Sequence, residues 1–360
     1  MQQINYPSLS FDEAFSFILR YVTSSSSPRP VMLWGPPGVG KTALVKKLAR
    51  TLAEPTELET RDSYLRMFYA AYMEPTDVAG FPVPDYATQS TKLFPLESVP
   101  TYPRSVDNPG VLFFDELSNA RRDVQTVLLE IMREGSVAGR PLPEGWVRIA
   151  AGNRLEDAAG SNAMITSLQD RLLHLELEPD LDEVCRHFLT DYPLDVAALV
   201  VGFLRFRPEL FHVEPVLSPR SWADVIAMLH AVGVSEESLR MAGGIVGTST
   251  AGELLAFYKL RQELPSVKEI LDAPETAVVP DVQNSPGLGY AMATMLIEAV
   301  TRALSTDRFD AALTYMERLP IIYTALFVNG LAKSLPEESA GVMGTERFTR
   351  WLVDNQAILF

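Results

Sequence analysis

Gly35-Pro-Pro-Gly-Val-Gly-Lys-Thr42 fits the pattern G-x-x-x-x-G-K-[ST] at every fixed position. The apolar run Val31 to Trp34 before it predicts a buried strand, and Leu44, Val45 and Leu48 after it recur at helical spacing. The order is therefore strand, glycine-rich loop, helix. In that order successive main-chain N–H groups and a helix N-terminus converge on one point, where they favour phosphate oxygens. Pro36 and Pro37 have no N–H, so the donors must come from about Gly38 to Thr42, with the proline pair stiffening the entry. Lys41 would neutralise β- and γ-phosphate charge, and the Thr42 hydroxyl would complete a Mg²⁺ shell. The expected nucleotide contacts are thus Gly35, Pro36, Pro37, Gly38, Val39, Gly40, Lys41, Thr42 and Ala43, with ATP and Mg²⁺ as cofactors. A structural glycine turn beside a surface lysine is the alternative.

Four further positions fit the same chemistry. Val111-Leu-Phe-Phe-Asp-Glu116 is an apolar strand ending in two carboxylates. Phosphoryl transfer needs one acid for the metal and one for the attacking water, roles that suit Asp115 and Glu116 in turn. Alone, a strand running into an acidic turn is common; beside the phosphate loop it is informative. Val147 to Asn153 (VRIAAGN) is another strand, and its terminal carboxamide would lie between Glu116 and the γ-phosphate, unless Asn153 is only a loop or cap residue. Arg171, in Leu168-Gln-Asp-Arg171, precedes a last strand, where a neighbouring subunit would insert it against the γ-phosphate; a salt bridge to Asp170 or another acid is the plainer reading. Arg220 follows Ser218-Pro219, an N-cap and a first-turn proline, so a cation stands where the helix dipole disfavours it. A phosphate would relieve that conflict, and simple solvent exposure would leave it standing.

Outward from these motifs the chain divides. Ser10-Phe-Asp-Glu13 is a capping-box pattern opening a first helix, closed by the polar run Thr23 to Pro30. Leu65 to Tyr72 is β-rich. About forty residues dense in proline and aromatics follow, including EPTDVAGFPVPDY, and a stretch of that length is more often functional than idle. With Leu172 to Leu177 there are five strands interleaved with helices, which imply an α/β fold: a mostly parallel five-stranded sheet between helices, its crevice at the strand C-terminal ends. Beyond Pro179 helical periodicity takes over in Val196 to Leu204, Trp222 to Leu229, Gly252 to Leu260 and Gly287 to Leu304. The expected domains are 1–178, an α/β nucleotide-binding domain; 179–274, an α-helical lid; and 275–360, a C-terminal helical extension.

Composition narrows the partners. The 360 residues are 47% hydrophobic and 21% charged, which excludes disordered and fibrous classes. Thirty-one basic against 46 acidic residues give a net charge of −15, a field that repels polyanions. The single cysteine, Cys185, cannot form an intramolecular disulfide, which points to the cytoplasm. Leu319 to Ala332 is too short to span a bilayer and reads as a buried helix. Cys185-Arg-His187 has the wrong spacing for two ligands on one helix face, and Tyr290 to Leu296 reads as helix core. Arg121, Arg122, Arg133, Arg140, Arg148 and Arg154 cluster near the motifs; solvated faces or intersubunit pairs explain them better than a nucleic-acid track.

Taken in order, the motifs resemble those of the AAA+ ATPases, P-loop NTPases, and more closely of the MoxR branch. Gly35 to Thr42 is similar to its Walker A loop, Leu112 to Leu117 to Walker B, Ala151-Gly-Asn-Arg154 to sensor 1, Asp170-Arg171 to the arginine-finger segment, and Ser218-Pro-Arg220 to sensor 2. Glu74-Pro-Thr-Asp-Val-Ala-Gly80 and Leu142-Pro-Glu-Gly-Trp146 also resemble segments of that branch. Ser118-Asn119 stand where many members carry Asn-Arg. Arg154 and Arg148 are alternative fingers. The resemblance implies an ATPase in a homo-oligomeric ring, usually a hexamer, with ATP sites between subunits, a protein client to remodel, and a partner containing a von Willebrand factor A domain. Two rivals remain open: a nucleic-acid-stimulated motor, and a nucleotide-gated scaffold that hardly hydrolyses ATP.

Overall fold

The computed structural model describes residues 6–25, 27–53, 64–94, 99–100, 103–105, 109–137, 139–154, 164–213, 215–262, 264–334 and 341–355. The chain forms two compact units, residues 1–180 and 181–360.

In the first unit, β1 (Ser8–Leu9) leads into α1 (Phe11–Ser24), whose N-terminus carries the expected capping box between Ser10 and Glu13. Then come β2 (Val31–Trp34), α2 (Lys41–Leu52), β3 (Leu65–Tyr69), α3 (Pro75–Ala79), the hairpin β4 (Phe81–Asp85) and β5 (Ser90–Phe94), and β6 (Gly110–Asp115). They are followed by α4 (Arg122–Glu134), the two-residue strands β7 (Ser136–Val137) and β8 (Arg140–Pro141), β9 (Trp146–Gly152), α5 (Thr166–Gln169) and β10 (Leu173–Leu177). The main sheet has six parallel strands in the order β1-β10-β2-β9-β6-β3. All five strands read from the sequence are in it; β1, too short to show a periodicity, adds a sixth at one edge.

Alternation along each strand sorts the side chains to two faces. Val31, Leu33, Val111, Phe113, Ile149 and Ala151 pack with α1 and α2, while Met32, Trp34, Leu112, Phe114 and Ala150 pack with α4 and α5. Both faces are buried, which is why the strands read as continuous apolar runs. Within the proline-rich stretch lie α3 and the hairpin; positions 95–98, 101–102 and 106–108 fall outside the described residues. The hairpin exposes Phe81, Val83, Tyr86 and Phe94, with Tyr86 88% accessible.

The second unit is helical: α6 (Leu181–Asp191), α7 (Leu194–Phe206), α8 (Pro219–Val232), α9 (Glu236–Met241), α10 (Gly243–Val246), α11 (Thr248–Gln262), α12 (Val267–Asp272), α13 (Pro286–Arg302), α14 (Thr306–Met316), α15 (Ile321–Ser334) and α16 (Glu346–Asp354). One core surrounds α7, buried throughout Val196 to Leu204, with Trp222 and Phe257 against it. A second joins Met292 of α13 to the last three helices through Phe309, Phe327 and Trp351. Helix α13 packs on both α7 and α15.

Candidate nucleotide site

Strand register brings the motifs to one edge. Trp34 at the end of β2 lies beside Gly152 of β9, and Phe114 of β6 lies beside Ala150, so Gly35, Asn153 and Asp115 leave the same C-terminal rim of the sheet. The loop itself turns sharply. A Cβ on Gly35 would meet the Leu177 carbonyl oxygen at 2.6 Å, so no other residue fits this approach. Gly40 holds φ at 106°, a left-handed value that an L side chain resists. From Lys41 the chain is helical, and Leu44 donates the first turn's hydrogen bond to Gly40 at 2.9 Å. The amides of Gly38, Gly40, Thr42 and Ala43 donate to no acceptor among the described residues. Thr42 and Ala43 are orphan donors of the first turn of α2, and Gly38 and Gly40 lie in the loop that leads into it.

Lys41 is buried, and its ammonium is held by three oxygens: Gly35 O at 2.6 Å, Pro36 O at 3.0 Å and Asn153 Oδ1 at 2.8 Å. The Thr42 hydroxyl donates to Asp115 Oδ2 at 2.8 Å. The other carboxylate oxygen of Asp115 accepts the Glu116 N–H at 3.0 Å. Glu116 itself stands at φ 56° and ψ 34°, left-handed for a residue with a full side chain. Backbone held this way costs on the order of 1–3 kcal/mol and concentrates at functional positions. Its carboxylate has no partner among the described residues. Lys41, Thr42, Asp115, Glu116 and Asn153 are thus gathered at one rim, Lys41 joined to Asn153 and Asp115 to both the Thr42 hydroxyl and the Glu116 N–H by charge-assisted hydrogen bonds.

The arginines separate. Arg171 follows α5, exposed, with no ion pair to Asp170 or to any other described residue. Arg220 belongs to the second unit and stands exposed in the first turn of α8, whose capping box joins Ser218 and Ser221. Arg154 is tied to Glu176 on β10. Arg148 is half-buried and donates to the carbonyls of Ile131 and Met132, at 3.1 and 3.3 Å, closing the C-terminus of α4; burial lowers its pKa. Arg121 pairs with Glu74 and Asp123. Both alternative fingers are therefore bound within their own chain.

Two groups near the site have no role legible in the sequence. Ser118 is buried and accepts the Asn153 N–H at 3.1 Å. His174 receives the Trp34 indole N–H on Nδ1 at 2.8 Å, which leaves Nε2 to donate to the Gln169 carbonyl, also at 2.8 Å. Both bring together residues far apart in the chain, so no local pattern announces them.

Residues 30–172 match the family model of the AAA domain, dynein-related subfamily, and this part of the chain is an AAA domain of that subfamily. Nucleotide binding and oligomer formation are the properties that family suggests. The chain is similar to NtrX from Brucella abortus, solved in complex with ATP, at 14% identity over 98% of this chain and 69% of that one, with a TM-score of 0.39. It is also similar to a mutant of RuvB from Thermotoga maritima, at 18% identity over 73% and 77% of the two chains, with a TM-score of 0.38. None of the curated proteins matches. Among the described residues no helix is long and apolar enough to cross a membrane.

Proposed function

We propose that the chain is an ATP-hydrolysing subunit of a MoxR-like ring that remodels a protein client. The observation that carries the reading is the gathering of Lys41, Thr42, Asp115, Glu116 and Asn153 on the rim where the amides of Gly38, Gly40, Thr42 and Ala43 have no acceptor among the described residues. Those amides and the Lys41 ammonium suit a triphosphate, and the Thr42 hydroxyl with the Asp115 carboxylate is an oxygen donor pair suited to Mg²⁺. Bound Mg²⁺ would neutralise charge on the transferred phosphoryl group. Glu116 orients the attacking water and accepts its proton, and Asn153 holds that water by its carboxamide. Lys41 would exchange Asn153 Oδ1 for phosphate oxygen, freeing the carboxamide for this task.

Arg171, exposed and unpaired among the described residues, suits a finger lent to the next subunit, and Arg220 suits a phosphate contact from the helical lid. A hexamer and a von Willebrand factor A domain partner come with the resemblance; a cytoplasmic setting comes from the single cysteine, Cys185, whose buried thiol is in no disulfide. The apolar hairpin favours a protein client, because Phe81, Tyr86 and Phe94 offer water a surface that a polypeptide would cover. Engagement of Arg121, Arg148 and Arg154 by this chain's own acceptors weighs against a nucleic-acid track. The test is ATPase rate per subunit against protein concentration: it should rise through the assembly range and fall on the order of 10³-fold in Arg171→Ala. A rate flat with concentration and indifferent to Arg171 would remove the ring.

A further inference from the structure

Ser118 lies two residues beyond Glu116 and is only 2% exposed. It belongs to the short turn Leu117–Asn119, which the chain enters through the left-handed Glu116; the Asn119 N–H closes that turn on the Glu116 carbonyl at 2.9 Å. On its other side Ser118 reaches β9. Its Oγ accepts the Asn153 N–H at 3.1 Å, and a Cβ added to Gly152 would fall 2.7 Å from that Oγ. Strand β9 thus has no side chain at the one place where the serine must approach its main chain. Asn153 in turn touches Lys41 through Oδ1 at 2.8 Å. One hydroxyl therefore links the turn carrying Glu116 to the residue that contacts the phosphate-loop lysine.

We propose that Ser118 is a positioning residue for hydrolysis: its hydroxyl fixes the Asn153 main chain to the Glu116 turn, so that carboxylate and carboxamide address one water in a set geometry. The proposal rests on the ATPase reading above. It follows from the cost of misplacement, since a shift of about 1 Å in a reacting group can cost a hundredfold in rate. Alanine at 118 keeps the Cβ, and thus the packing on Gly152, while leaving the Asn153 N–H without its acceptor.

The experiment is steady-state ATPase kinetics on Ser118→Ala, Gly152→Ala and the double variant in the full chain, with the urea midpoint and the number of nucleotide sites measured for each. Ser118→Ala should lower kcat about tenfold to a hundredfold with KM for ATP changed less than about threefold and the site count unchanged. Gly152→Ala, whose Cβ would fall 2.7 Å from both the Ser118 Oγ and the Met32 Cε, should lower kcat as well, and the two losses should combine to less than their sum, because both variants break the Ser118–Asn153 contact. A wild-type kcat in Ser118→Ala, a loss matched by fewer intact sites, or fully additive variants would overturn the proposal while leaving the ATPase reading in place. A wild-type protein that hydrolyses no ATP would overturn both.

Discussion

Glu116 carries its side chain in a backbone conformation that favours glycine. Its neighbours impose this: the N–H bonds back to Asp115 Oδ1, and the carbonyl closes the next turn. Glu116→Gly should therefore raise the unfolding free energy, by about 1 kcal/mol, while abolishing ATP turnover. Urea denaturation checks the first part; an unchanged or lower midpoint would mean the conformation is not strained. Residues set by a fixed local spacing stood out in the sequence, and the structure gathers four of them, Lys41, Thr42, Asp115 and Glu116, at one rim. Ser118 was visible only as a departure from a pattern. Its partner, the Asn153 amide, becomes its neighbour only when β6 and β9 pair.

Among elements, helices and buried strands declared themselves through periodicity and capping: Ser10 with Glu13, and Ser218 before Pro219, both cap as read. The β4–β5 hairpin did not. Its exposed aromatics and its prolines at 82 and 84 break the alternation that marks a half-buried strand. Nor did the link between β2 and the turn before Arg171, made by His174 through Trp34 and the Gln169 carbonyl, with Tyr6 stacked on the imidazole at 4.5 Å. Burial holds the His174 pKa below the ordinary 6.5, opposed by the Gln169 carbonyl and aided by Arg29. The unfolded chain thus takes up this proton first as pH falls. Stability from the neutral ring is complete above about pH 6.5 and is lost below it, at no more than about 1.4 kcal/mol per pH unit, until the folded pKa is passed. Thermal melting of wild type against His174→Gln between about pH 7.5 and 5.5 isolates the effect. The wild type should lose more on acidification, and parallel losses would show that the ring does not titrate in this way.

At the scale of the molecule, the proposed function requires an acidic chain with a net charge of −15 to attract a triphosphate through a local concentration of donors. The rim of the sheet supplies it: the amides of Gly38, Gly40, Thr42 and Ala43, the Lys41 ammonium, and the oxygen pair of Thr42 and Asp115 for a cation. The helical unit bears Arg220 exposed in its capped helix, and the α/β unit bears Arg171 exposed after α5. The most direct measurement is a crystal structure of the protein with Mg²⁺ and a non-hydrolysable ATP analogue. Phosphates seated on residues 38–43, Lys41 Nζ moved from Asn153 Oδ1 to phosphate oxygen, and Glu116 facing the terminal phosphate are the predicted result. A nucleotide bound elsewhere, with the Lys41–Asn153 contact intact, would contradict it.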